Sequence, residues 1–238
     1  DAAHALGAKH HDGSMVGSCK YSDMTGFSFH PVKSIAAGEG GMITTNDYSL
    51  YKRLLRLRSH GINKLDDDFI NINQSKTKGI SNPWYYEMQD LGFNYRITDI
   101  QCALGLSQLK KLNQFINRRR ELVEKYDKFF KGFNNLEPAQ NNGREISSHH
   151  LYVIRINFNK IKYTRASLMN KLKDHGILCQ VHYIPVTSQP YYSLKGYNTE
   201  HYTESQNFYN QALSIPLYFS LTDQDQEEVI KVFKKLIG

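Results

Sequence analysis

Short apolar runs separated by glycine-rich turns, with one helical pattern among them, fill the first hundred residues, and that alternation is the habit of an α/β fold. The runs at 24–29 (MTGFSF) and 42–45 (MITT) are too short for helices and are predicted as strands. Asn46 and Asp47 offer a cap for a helix over 48–58, whose apolar side carries Leu50, Leu54, Leu55 and Leu57, and Gly61 ends it. Residues 63–82 are polar, rich in Asn, Lys and Asp, and keep no period, which predicts a long loop of the kind that often carries function. Thr98 and Gln101 stand at capping-box spacing ahead of a second helix. Ile100, Cys102, Ala103, Leu104, Leu106 and Leu109 cover most of its sides, so burial is expected.

From Asn117 the pattern turns amphipathic, with Leu122, Val123, Tyr126, Phe129 and Phe130 between charges. The change places a boundary at 114/115, with part of a larger domain over 1–114 and a small α+β domain over 115–238. In the second, 150–158 is predicted as a strand, 165–175 as a helix capped by Thr164 and stopped by Gly176, and 177–183 as another strand. Thr222 caps a last helix in which Val229, Ile230, Phe233, Leu236 and Ile237 recur at three and four.

The 238 residues carry 30 Lys and Arg against 23 Asp and Glu, a formal charge of +7 that favours an anionic partner without naming it. The basic residues are scattered and match no nucleic-acid motif, which argues against nucleic acid. Cys19, Cys102 and Cys179 lie far apart, without metal-ligand or disulfide-framework spacing, and point to a reducing cytoplasm. No apolar stretch approaches the roughly 20 residues of a membrane span. His10, His11 and Asp12 read as a solvated turn, because adjacent side chains seldom converge on one ion. His149 and His150 straddle a predicted strand start and are expected to face opposite sides, and Arg118, Arg119 and Arg120 to form a solvated helix face.

Reactive chemistry centres on FSFHPVKSIAAGEGG, residues 27–41. Lys33 follows an apolar strand and a proline and precedes a glycine-rich turn, so its backbone is held while its stem can enter a cleft. A lysine amine is nucleophilic only when neutral, and burial or a neighbouring cation lowers its pKa enough for Schiff-base chemistry. Pyridoxal 5'-phosphate requires such an amine, together with a carboxylate facing its pyridine nitrogen, for which Asp1 is the candidate. Ser28 could offer its hydroxyl to an anion.

DAAHALGA, FSFHPVKSIAAGEGGMITTN, RSHGI and LGFNYRITDIQCALGLSQLKKL, in that order, resemble the DegT/DnrJ/EryC1/StrS sugar aminotransferases, which are fold type I pyridoxal-phosphate enzymes. The resemblance continues through HLYVIRI and GILCQVHYIPV into the last helix. It implies that Lys33 bonds the cofactor and then carries the proton, that Asp1 faces the pyridine nitrogen, that His4 lies beside the ring and that Ser28 holds the phosphate. It further implies that Asn94 reaches the phosphate of a neighbouring subunit, making a homodimer with shared sites, and that Arg96, His182 and Tyr183 bind substrate. The implied reaction moves the amino group of L-glutamate to C4 of a UDP-linked 4-keto-6-deoxy sugar, and the SSHHLY and QVHY runs are similar to members acting in pseudaminic acid synthesis. In the family a segment with a phosphate-cradling turn and a ring-stacking aromatic precedes the Asp1 motif, so this chain is expected to be the C-terminal part of the fold. Two alternatives remain beside this reading: the dehydratase branch of the family, which lacks the lysine that Lys33 supplies, and a catalytically inactive fragment or basic module.

Overall fold

A computed structural model describes residues 1–64, 69–140 and 142–238, which group into two units. The first comprises Asp1–Ala3 and Ser14–Leu109, the second His4–Gly13 and Lys110–Gly238.

In the first unit, strands β1 (Met24–Ser28) and β2 (Gly41–Thr45) form an antiparallel pair with Met24 opposite Thr45 and Ser28 opposite Gly41. Helix α1 (Tyr48–Leu57) follows, and the Asp47 carboxylate accepts from the backbone N–H groups of Ser49 and Leu50 as the predicted cap. The chain then turns through Gly61, whose φ of +69° suits glycine, and a Cβ there would run into the carbonyl of Asp90. That close backbone contact explains the glycine.

Strand β3 (Ile62–Asn63) pairs with β6 (Glu87–Met88), and between them lie α2 (Ile72–Ser75) and the hairpin of β4 (Lys76–Thr77) with β5 (Ile80–Ser81). The long loop expected over 63–82 is thus partly ordered, although residues 65–68 of it lie outside the described residues. Lys78 and Gly79 both hold positive φ, +53° and +84°, the two-residue turn whose twist matches a hairpin. Lys-Gly is a weak form of that signal, which is why the polar composition masked it.

Helix α3 (Asp99–Leu109) begins at the predicted capping box, with the Thr98 hydroxyl accepting from Gln101 N–H and the Gln101 side chain accepting from Thr98 N–H at 3.0 Å. Its expected burial is not found: Ile100 is 83% and Leu106 59% exposed, and no residue of α3 is buried. A helix apolar on all sides needs cover on all sides, and the first unit meets it on one, where Gly105 faces Ala37.

The second unit is built on α4 (Leu112–Phe130) and a three-stranded antiparallel sheet of β7 (Leu136–Pro138), β8 (Tyr152–Ile156) and β9 (Ala212–Ile215), with β8 central. Helix α5 (Arg165–Asp174), the short α6 (Pro190–Ser193), α7 (Thr203–Gln211) and α8 (Asp223–Ile237) complete it. Leu122, Val123, Tyr126 and Phe130 of α4 share one core with Tyr152, Ile154 and Ile156 of β8, Leu168 and Leu172 of α5, and Phe233 of α8. Thr164 and Thr222 cap α5 and α8 as expected.

The strand predicted at 177–183 is a correction. Only Gln180 pairs, in an isolated bridge to Ser214, while the strand beside β8 is β9. All four residues of β9 are buried, so it shows none of the alternation that marks a half-exposed strand. His149 and His150 are corrected too: β8 starts only at Tyr152, His149 has a left-handed φ of +48°, and both rings are buried rather than set on opposite faces.

The arginine run is not a solvated face. Arg119 is 7% exposed, and its Nη1 lies 3.0 to 3.1 Å from the carbonyls of His149, His150 and Leu217. Arg118 pairs with Glu121 and Asp223, and Arg120 donates to the Ser147 carbonyl. Arg119 and Arg120 thereby hold the loop that enters β8.

Candidate functional site

The loop that carries Lys33 is pinned at both ends. Past the end of β1, Phe29 N–H donates to the Gly40 carbonyl at 2.8 Å, and Ala37 N–H donates back to Phe29 at 2.9 Å. Buried Ile35 and Ala37 anchor the far side, and Lys33 N–H donates to the His30 carbonyl, leaving the lysine half-buried on a short, braced turn. The segment of Asp1 joins the same strand, because Ala2 N–H donates to Gly26 of β1 at 2.9 Å. The exposed Asp1 carboxylate accepts from Ala3 N–H. Gly26 and Ser28 share a face of β1 by strand alternation. A carboxylate, a hydroxyl and a primary amine therefore belong to one braced strand and loop, and this donor set fits pyridoxal phosphate, which presents a pyridine nitrogen, a phosphate and an aldehyde.

The GEGG turn has a packing role that its sequence did not disclose. The Glu39 carbonyl accepts from the Gln101 side chain at 3.0 Å, and a Cβ on Gly40 would meet Ile97 Cδ1 at 2.8 Å. The turn after Lys33 is thus docked on the chain entering α3, which also carries Asn94 and Arg96. Asn94 forms an antiparallel bridge with Ser59, and Arg96 donates from Nη1 to the Ser59 hydroxyl at 3.1 Å; both residues are exposed.

His4, His182 and Tyr183 fall in the second unit. The His4 ring lies 4.1 Å from that of His150, and its carbonyl accepts from the Ser148 hydroxyl. His182 Nδ1 is 2.7 Å from the hydroxyl of buried Ser214, and the ring meets Tyr183 edge-on. Five of the eight expected residues, Asp1, Ser28, Lys33, Asn94 and Arg96, thus stand in the first unit.

Sequence reading passed over Glu87, which orders the polar region before α3. Its carboxylate accepts from the N–H groups of Ile70 and Asn71 at 2.7 and 2.6 Å, from Gln89 at 2.8 Å and from the Tyr85 hydroxyl at 3.0 Å. Burial pushes the carboxyl up, but the hydrogen bonds from Gln89, Ile70, Asn71 and Tyr85 outweigh it and hold the group at about 2, below the ordinary 4.5. A depressed carboxyl stabilises the fold above its ordinary pKa, and that contribution fades as pH falls from 4.5 toward about 2. Amide exchange at Ile70 and Asn71 should therefore quicken across that window in the native protein and be fast at neutral pH in Glu87→Gln; equal protection in both proteins would refute the tie.

Residues 1–234 match the DegT/DnrJ/EryC1/StrS aminotransferase family. The chain belongs to that family. Family members of this kind are pyridoxal-phosphate-dependent sugar aminotransferases. One relative, the UDP-4-amino-4,6-dideoxy-N-acetyl-beta-L-altrosamine transaminase of Campylobacter jejuni subsp. jejuni serotype O:23/36, is 35% identical over 96% of this chain and 55% of its own length. Among solved structures, Helicobacter pylori PseC, an aminotransferase involved in the biosynthesis of pseudoaminic acid, superposes with a TM-score of 0.80 at 29% identity, covering all of this chain and 58% of PseC. The PLP-form of Spr1654 from Streptococcus pneumoniae gives 0.82 at 28% identity, over 99% of this chain and 56% of that one. The chain spans a little over half the length of the relatives it matches. Its fold is mixed α/β, as the sequence predicted, and corresponds to part of the fold of the sugar aminotransferases it superposes on.

Proposed function

We propose that the protein transfers the amino group of L-glutamate to C4 of a UDP-linked 4-keto-6-deoxy sugar, for pseudaminic acid or a related surface glycan. The observation that carries the reading is the braced, half-buried Lys33 on the turn after the strand that holds Ser28 and adjoins the segment of Asp1, in a chain of an aminotransferase family. Pyridoxal phosphate, when bound, supplies an electrophilic aldehyde and an electron-withdrawing ring. Lys33 acts as nucleophile and then carries the proton released from the substrate carbon, its turn restricting where the amine can reach. The Asp1 carboxylate holds the proton on the pyridine nitrogen, the Ser28 hydroxyl binds the phosphate, and His4 flanks the ring. Asn94 serves the phosphate of a neighbouring subunit in a homodimer, while Arg96, His182 and Tyr183 orient the substrate.

The excess of positive charge suits a substrate with a diphosphate, and relatives named as nucleotide-sugar transaminases support the substrate class. Among the described residues, no helix is long and apolar enough to cross a membrane, and we place the reaction in the cytoplasm, with no nucleic-acid partner. Incubating the protein and pyridoxal phosphate with L-glutamate and a panel of UDP-4-keto sugars should release 2-oxoglutarate and an aminated sugar. Turnover with none of the panel would refute the assignment.

A further inference from the structure

The far limb of the Lys33 loop is held by one side chain of α3. Residues 30–36 are closed off by the hydrogen bond from Ala37 N–H to the Phe29 carbonyl, and the limb that follows returns to Phe29 N–H through the Gly40 carbonyl. Between these two fixed points stands Glu39, whose carbonyl accepts from Gln101 Nε2 at 3.0 Å across 62 residues of sequence. The orientation of the half-buried Gln101 amide follows from its partners. Its Oε1 accepts from both the backbone N–H and the hydroxyl of Thr98 at 3.0 Å, and the Glu39 carbonyl can only accept, so the amide nitrogen faces the turn. The cap itself needs no nitrogen there, because a capping box asks only for an acceptor, which glutamate supplies as well. The donor half of Gln101 is surplus to the cap, and it is spent on the loop that carries Lys33.

On the near limb, His30 N–H donates to the Ser28 hydroxyl at 3.4 Å, its carbonyl accepts from Lys33 N–H, and its ring lies 3.8 Å from the Glu39 carboxylate. That ring contact is long and exposed, and contributes little. The Gln101 hydrogen bond is shorter and directional, and it fixes the backbone of Glu39 itself.

We propose that Gln101 is a positioning residue for Lys33, holding the turn through its amide nitrogen so that the lysine amine stands where it meets the cofactor aldehyde. The inference rests on the proposed role of Lys33 as the cofactor nucleophile. Gln101→Glu tests it, since the carboxylate keeps both hydrogen bonds from Thr98 and loses the donor to Glu39. In the cofactor-free protein, amide exchange at Phe29 and Ala37 should quicken about tenfold, as for the loss of one hydrogen bond. With pyridoxal phosphate added, the borohydride-trapped adduct on Lys33 should form about tenfold or more slowly. Thr98→Ala weakens the cap and spares the amide nitrogen, so it should lower the melting temperature and leave both rates unchanged. Wild-type exchange or wild-type trapping in Gln101→Glu, or equal changes in the two variants, would overturn the positioning role. Exchange altered as expected, with no adduct even on the wild type, would overturn the functional reading and this inference together, which tells the two failures apart.

Discussion

Lys33→Ala is expected to reduce amino transfer by about ten-thousand-fold, the upper end of what a positioned proton-transfer group contributes, and to abolish the covalent bond to the cofactor altogether. Borohydride treatment followed by mass spectrometry would read the bond directly: a stable cofactor adduct on the wild type and none on the variant. The loop should survive the change, because its anchors are backbone hydrogen bonds through Phe29, Gly40 and Ala37 and the buried Ile35, none of which involves the lysine side chain. Stability should thus move by less than about 0.5 kcal/mol, as for a surface substitution. An adduct of undiminished yield in Lys33→Ala would mean that another amine does the chemistry. A variant that lost its fold would instead mean that Lys33 is a packing residue.

The largest structural effect is expected at Arg119. Its Nη1 has two hydrogens shared among three carbonyls, and the group is nearly sealed from solvent. Burial pushes the guanidinium pKa down. Arg119→Met removes the donor and leaves the carbonyls of His149, His150 and Leu217 buried without it, at a cost of about 3 to 5 kcal/mol. Arg118→Met, which breaks only partly exposed pairs with Glu121 and Asp223 and a hydrogen bond to Leu221, should cost about 1 kcal/mol. Chemical denaturation of the two variants compares adjacent residues on one helix; equal losses would show that the three-carbonyl clamp adds nothing. The same clamp fixes the loop that brings His150 against His4, so the loss should also broaden the ring signals of both histidines.

Elements whose signal is local were legible in the sequence. The caps at Asp47, Thr98, Thr164 and Thr222 depend on a side chain reaching a backbone N–H two or three residues away, and all four form as spaced. The two strands on either side of Lys33 were legible for a related reason, since short apolar runs beside glycines leave little other choice, although their pairing was not. What failed depended on partners distant in sequence. β9 is buried throughout and paired on a strand sixty residues earlier, so no alternation marks it. Arg119 lies in a run that composition alone reads as solvent-facing, and its acceptors lie about 30 to 100 residues away. Glu87 likewise meets the N–H groups of Ile70 and Asn71 only across a chain reversal, 17 and 16 residues away.

The candidate site divides along the same line. Lys33, Ser28 and Asp1 could be singled out from residue chemistry and motif order, because a Schiff-base cofactor demands an amine, an anion ligand and an acid of definite kinds. The order of residues also determined the helix caps and the α/β class, through interactions that act within a turn or a strand. The tertiary structure alone decided that the GEGG turn docks on the approach to α3 and that the middle of an arginine run is buried. Those outcomes turn on desolvation and on charge brought together across space, and both are properties of the folded neighbourhood rather than of any residue's place in the chain.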